Sequence, residues 1–207
     1  MQNKKDIQVM LKEAGILFAI TLLAGLMLGF VYELTKEPIR IQEENAVREA
    51  CAAVFEGAAE FSPIDYVPGD ALAAELKENG VKIGTVYEAR GADGTLLGHV
   101  VQSVTTEGYG GNIVLYVGVT LEGKLNDISI LEISETPGLG MEAEKVLVPQ
   151  FHDKTVPGFS YTKTGSKNDS EIDAISGATI TTSAVTGAVN GGLKVAAELA
   201  QGGGRNE

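Results

Sequence analysis

The sequence predicts an α+β domain joined to a single membrane-spanning helix, and three observations predict it. An uncharged apolar run lies near the N-terminus, the middle is rich in β-branched residues broken at glycine turns, and helical patterns bracket that middle on both sides. With 207 residues the chain has room for one sizeable domain plus an appendage.

The apolar run "AGILFAITLLAGLMLGFVY", Ala14 to Tyr32, is long enough to cross a hydrocarbon core as a helix. Lys4, Lys5 and Lys12 precede it as they would in a signal peptide, but the run is too long for one and no small-x-small cleavage site follows. Lipidation at Cys51 is opposed by Arg48 and Glu49 just before it. The chain thus divides into an N-terminal cytoplasmic segment (1–13), a transmembrane helix (14–32), a juxtamembrane helical region (33–80), the main domain (81–201) and a flexible tail (202–207). Lys36, Arg40 and Arg48 nearly balance the three leading lysines, so charge scarcely sets orientation. The long globular part after the span favours a domain outside the cell membrane.

After the span, "KEPIRIQEENAVREACAAVF" reads as a proline break and then an amphipathic helix, with Ile41, Val47, Cys51 and Val54 on its apolar side. Cys51 fits there as a small hydrophobe. "FSPIDYVPGD" reads as a loop and "ALAAELKENG" as a short helix ending at Gly80. Four strand patterns follow: "IGTVYEAR", "TLLGHVVQSV", "NIVLYVGVTL" and "LNDISILEIS", with turns that predict an antiparallel meander. His99 falls in the second of these, as a partnered histidine rather than a ligand. "MEAEKVLVPQF" reads as a helix, "GFSYTK" as a strand and "SAVTGAVNGGLKVAAELA" as a closing helix, capped by Ser183 or a neighbouring threonine.

Composition narrows the chemistry. A net charge of −12 argues against nucleic-acid binding. One cysteine cannot form an internal disulfide, a CxxC zinc site or a four-cysteine cluster, and two distant histidines argue against a zinc hydrolase. Any redox role therefore falls to an organic cofactor. Gly138, Gly140 and Ala143 fit G-x-G-x-x-A, the dinucleotide fingerprint, but hairpins replace the βαβ crossover and Lys163 stands where an acidic ribose ligand is needed. "EGYGG", Glu107 to Gly111, reads as a loose hairpin loop, with Tyr109 lying against an aromatic cofactor as the alternative. "EIDAISGATITTSAVTG", Glu171 to Gly187, gathers more hydroxyls than capping needs, yet there is no G-x-S-x-G, no S-x-x-K and too few histidines in the chain for a base. Small residues ahead of a helix N-terminus suit an anion.

"DAISGATITT" resembles the D-x-x-[ST]-G-A-T flavinylation signature of the FMN-binding domain family, through Asp173, Ser176, Gly177, Ala178 and Thr179. "ETPGLG", from Glu135 through Thr136, Pro137, Gly138 and Leu139 to Gly140, resembles the family's second signature. It is found in the G subunit of Rnf complexes and the C subunit of the sodium-pumping NADH:quinone oxidoreductase, which also carry an N-terminal anchor. The resemblance implies FMN tied through its phosphate to Thr179, a contribution of Asp173 to recognition by a separate flavin transferase, and "ETPGLG" beside the ring. It implies an electron-carrier subunit of a membrane redox complex, not a complete enzyme, with its domain on the extracytoplasmic side. The chain's length inclines the reading to the Rnf G subunit. A membrane-anchored binding or scaffold module without a redox cofactor is the alternative.

Overall fold

The computed structural model describes residues 2–204, with side chains from residue 7 onward; Lys4, Lys5 and the last three residues of the predicted tail lie outside the described side chains. The chain divides into two units, residues 1–45 and 46–207.

The described residues of the first unit lie within helix α1, which runs Gln2–Val54 and contains a segment long and apolar enough to cross a membrane. The proline break expected after the span is absent, because Pro38 sits inside α1. A proline in a helix costs one hydrogen bond and crowds the preceding turn. Here ion pairs on both sides, Glu33 with Lys36 and Arg40 with both Glu37 and Glu44, tie the flanking turns together.

In the second unit the predicted meander is present as β2 (Val81–Arg90), β3 (Leu96–Thr105), β4 (Ile113–Thr120) and β5 (Leu125–Glu132). A further strand, β1 (Glu60–Ile64), pairs with β2 where the sequence reads as a loop, giving an antiparallel sheet in the order β1-β2-β3-β4-β5. Pro63 hides this strand from sequence reading, yet an edge strand tolerates a proline that a central one does not. Helix α2 (Asp70–Glu78) stands at its predicted place, and Gly80 takes φ +62° just beyond it.

One sheet face carries the last turns of α1. Ala50, Cys51 and Val54 pack with Phe55 against Ala89, Val100 and Tyr116. Cys51 is buried as expected, and that burial pushes its thiol pKa up to about 12, so it stays protonated and inert. The carbonyl of Val54, which accepts from Asn126 Nδ2 at 2.9 Å, lies so close to Gly118 of β4 that a Cβ there would come within 2.3 Å of it.

The other face carries α5 (Thr179–Ala200), whose Ala184, Val185, Ala188 and Val189 pack with Ile113, Leu115 and Val117 of β4. The single helix expected over "MEAEKVLVPQF" is instead a 3₁₀ turn (Gly140–Glu142) and two short helices, α3 (Ala143–Val146) and α4 (Val148–Phe151). Pro149 cannot donate to a carbonyl one turn back, which interrupts the run. Strand β6 (Ser160–Thr162) lies where "GFSYTK" predicts it, paired in parallel with β7 (Glu171–Asp173). Of the predicted flexible tail, Gly203 N–H bonds the Glu198 carbonyl and Gly204 accepts from Val67 N–H at 2.9 Å, so the described part is held to the domain.

Gly118→Ala should destabilise the domain by about 1–3 kcal/mol, since the added methyl meets backbone and not a movable side chain. Denaturant unfolding of the detergent-solubilised chain followed by tyrosine fluorescence or circular dichroism measures this.

Candidate functional site

The two motifs singled out in the sequence fold into the same device. In Thr136-Pro137-Gly138-Leu139 the Leu139 N–H donates to the Thr136 carbonyl at 3.1 Å, and Gly138 takes φ +75°. In Ile175-Ser176-Gly177-Ala178 the Ala178 N–H donates to the Ile175 carbonyl at 3.0 Å, and Gly177 takes φ +78°. A positive φ at the third residue alone defines a type II turn, and glycine is the residue that accepts it without strain. The turns face one another. A Cβ on Gly177 would stand 3.0 Å from Leu139 Cδ2.

A third wall comes from the β3–β4 connection. The Gly110 N–H donates to Glu135 Oε1 at 3.2 Å, and Thr181 Oγ1 donates to Glu135 Oε2 at 2.9 Å. Glu135 is only 8% exposed, so one buried carboxylate joins the "EGYGG" loop, the "ETPGLG" turn and the first turn of α5. Gly140 makes that junction sterically feasible, because a Cβ there would lie 2.7 Å from Thr181 Oγ1 and 2.6 Å from Glu135 Cβ.

Helix α5 starts at Thr179, not at Ser183, and its N-cap is Ala178, which offers no capping side chain. Thr182 closes the start from inside, its hydroxyl accepting from Ile175 N–H at 3.1 Å and donating to the Ala178 carbonyl at 2.9 Å. With Thr181 bound to Glu135, two of the three threonines in "TITT" are committed. The Thr179 hydroxyl has no protein partner among the described residues, and neither do the N–H groups of Thr179, Ile180 and Thr181.

These walls enclose a cleft of about 490 Å³ lined by Tyr109, Glu135, Thr136, Leu139, Gly140, Gly177, Ala178, Thr179, Ile180 and Thr181. That size is ample for a small-molecule cofactor. Glu135, Thr136, Leu139, Gly140, Gly177, Ala178 and Thr179, all expected from the sequence, therefore come together. Pro137, Gly138 and Ser176 shape the turns without lining the cleft. Asp173 also stands outside it. Its carboxylate accepts from Ser166 N–H at 2.6 Å, and its backbone N–H and carbonyl are bracketed by the Gln150 amide at 2.6 and 3.1 Å. Sequence reasoning does not mark Ile180 or Thr181 as lining, and it offers Tyr109 only as an alternative. The signal for the third wall is the pair Gly108 and Gly110, both pressed against backbone. Thr179 and Ile180 also line a second recess, together with Glu107, Tyr161 and Ser183.

The profile of the FMN-binding domain matches residues 108–194, a range that holds every lining residue of the cleft. The chain is 31% identical to the G subunit of the Na(+)-translocating ferredoxin:NAD(+) oxidoreductase complex of Acetobacterium woodii, across 97% of this chain and 100% of that one. The chain belongs to the FMN-binding domain family. Its relatives include the G subunit of the proton-translocating ferredoxin:NAD(+) oxidoreductase complex of Clostridium ljungdahlii, at 33% identity over 84% of this chain and 89% of the relative. The crystal structure of NqrC from Shewanella oneidensis is similar over 57% of this chain and 61% of its own, with TM-score 0.47 and 21% identity.

For an FMN-binding domain the cleft has fitting chemistry. Uncapped N–H groups at the start of a long helix suit a phosphate, and Leu139, Ile180 and Tyr109 suit a flat apolar ring. Among the described residues, neither lysine nor arginine lines the cleft.

Thr181→Val should cost about 1–3 kcal/mol of stability, because the buried Glu135 loses its hydroxyl donor while the side-chain shape is kept. Denaturant titration of the variant against the parent chain measures the difference.

Proposed function

We propose that this chain is the electron-carrier subunit of a membrane-bound, ion-translocating redox complex of the Rnf type, with FMN held by a phosphoester on Thr179. The observation that carries the reading is the Thr179 hydroxyl. It opens into the cleft without a protein partner among the described residues, while Thr181 and Thr182 beside it are engaged. Membership of the FMN-binding family and the names of the relatives support the same reading.

FMN, when bound, supplies transfer of one or two electrons, which no side chain here provides. The protein's own part is placement. Gly177 and Ala178 keep the approach to Thr179 open, the N–H groups of Thr179, Ile180 and Thr181 face the phosphate charge, and Leu139 and Ile180 keep water from the ring. Thr136, the Glu135 carboxylate and the backbone of Leu139 and Gly140 are the polar groups of the lining that meet the ring in this reading, while Gly138 shapes the turn behind them. In this reading a separate flavin transferase makes the bond, with FAD as donor. The chain then hands electrons between other subunits of the complex, along the ferredoxin-to-NAD route its relatives' names describe. Residues 14–32 anchor it, and residues 81–201 carry the flavin.

Co-expressed with a flavin transferase, the parent chain should gain the mass of an FMN moiety and fluoresce in a denaturing gel. Thr179→Ala should lose both signals while keeping its fold, whereas Thr182→Ser should keep them. Fluorescence that survives in Thr179→Ala places the bond elsewhere.

The domain is proposed to face the extracytoplasmic side, with the leading lysines inside. Glu122 lies exposed in the β4–β5 turn. In a Cys51→Ala background, Glu122→Cys should react with a membrane-impermeant thiol reagent in intact cells, or in spheroplasts if an outer membrane intervenes. Labelling confined to lysed cells inverts the topology.

A further inference from the structure

Among the described residues, Glu135 is the only carboxylate in the lining of the cleft, and that lining holds no cation to offset it. Both of its oxygens accept hydrogen bonds, one from the Gly110 N–H and one from the Thr181 hydroxyl. Its backbone belongs to the "ETPGLG" turn, its partners belong to the other two walls, and it is buried. A hydrogen bond between a neutral amide and Thr181 would have tied the walls as well. The charge is therefore an added property, and a buried charge acts over several ångströms because little water screens it.

We propose that Glu135 sets the reduction potential of the flavin: its fixed negative charge in the cleft wall makes the bound ring harder to reduce, in addition to holding the three walls in register. The inference rests on the functional reading above. Reduction adds negative charge to the ring, and a neighbouring carboxylate raises the free energy of that state more than of the neutral oxidised one. Glu135 acts here as a positioning and charge-setting residue and takes no part in bond making.

Glu135→Gln separates charge from geometry. The amide can still accept from Gly110, and Thr181 can turn its hydroxyl to accept from the amide nitrogen. Spectroelectrochemical titration of the flavin-loaded full chain, at one pH and ionic strength, reads the potential directly. In Glu135→Gln the potential should rise. At a fixed mediator poise the ratio of reduced to oxidised flavin should increase about tenfold, which is roughly 30 mV for a two-electron couple. Glu135→Asp, which keeps the charge, should stay closer to the parent. A potential in Glu135→Gln equal to or below the parent value overturns the proposal. If that variant does not retain flavin, Thr136→Asp adds a charge to the same lining and must lower the potential; an unchanged or raised value overturns the proposal equally. A parent chain that gains no flavin mass in the presence of a transferase removes the functional reading itself, whereas a loaded parent with unmoved variants removes only the role of Glu135.

Discussion

The seating of α5 against the sheet is the constraint from which the rest follows. Ala184, Val185, Ala188 and Val189 lie on Ile113, Leu115 and Val117, all buried. Apolar burial of that extent contributes about 25 cal/mol for each Å² removed from water, and it fixes the helix along the sheet to within a side chain's width. Thr179 opens this helix, so its position is settled by packing many residues downstream.

What remains local is the start of the helix. A side-chain cap would have filled the space in front of the first turn and satisfied its N–H groups. Ala178 does neither. The stability forgone there is offset from within by Thr182, which bonds one turn back, and by Thr181, which reaches across to Glu135. The hydroxyl-rich segment is thus a set of separate tasks distributed over adjacent threonines.

Much of this is legible in the sequence, and the exceptions have physical causes. β2 to β5 show as β-branched runs between glycine turns because each strand buries alternating or continuous apolar faces. The two glycine signatures mark both type II turns, since only left-handed residues complete them. β1 is hidden by Pro63, whose strand role depends on having a neighbour on one side only. The start of α5 is misplaced because capping propensity points to a hydroxyl, while the turn through Gly177 begins the helix earlier. The third wall cannot be read locally. Gly110 matters through Glu135, 25 positions away, and no periodicity reports such a contact.

The second recess beside Thr179 separates access from occupancy. A side chain that opens on two sides can be approached through one opening while whatever it carries rests in the other. The first opening is walled by the two type II turns and the Gly110 loop, whereas the second is bordered by the exposed side chains of Glu107, Tyr161 and Ser183. In the proposed reading, loading through the second would leave the walls of the first undisturbed.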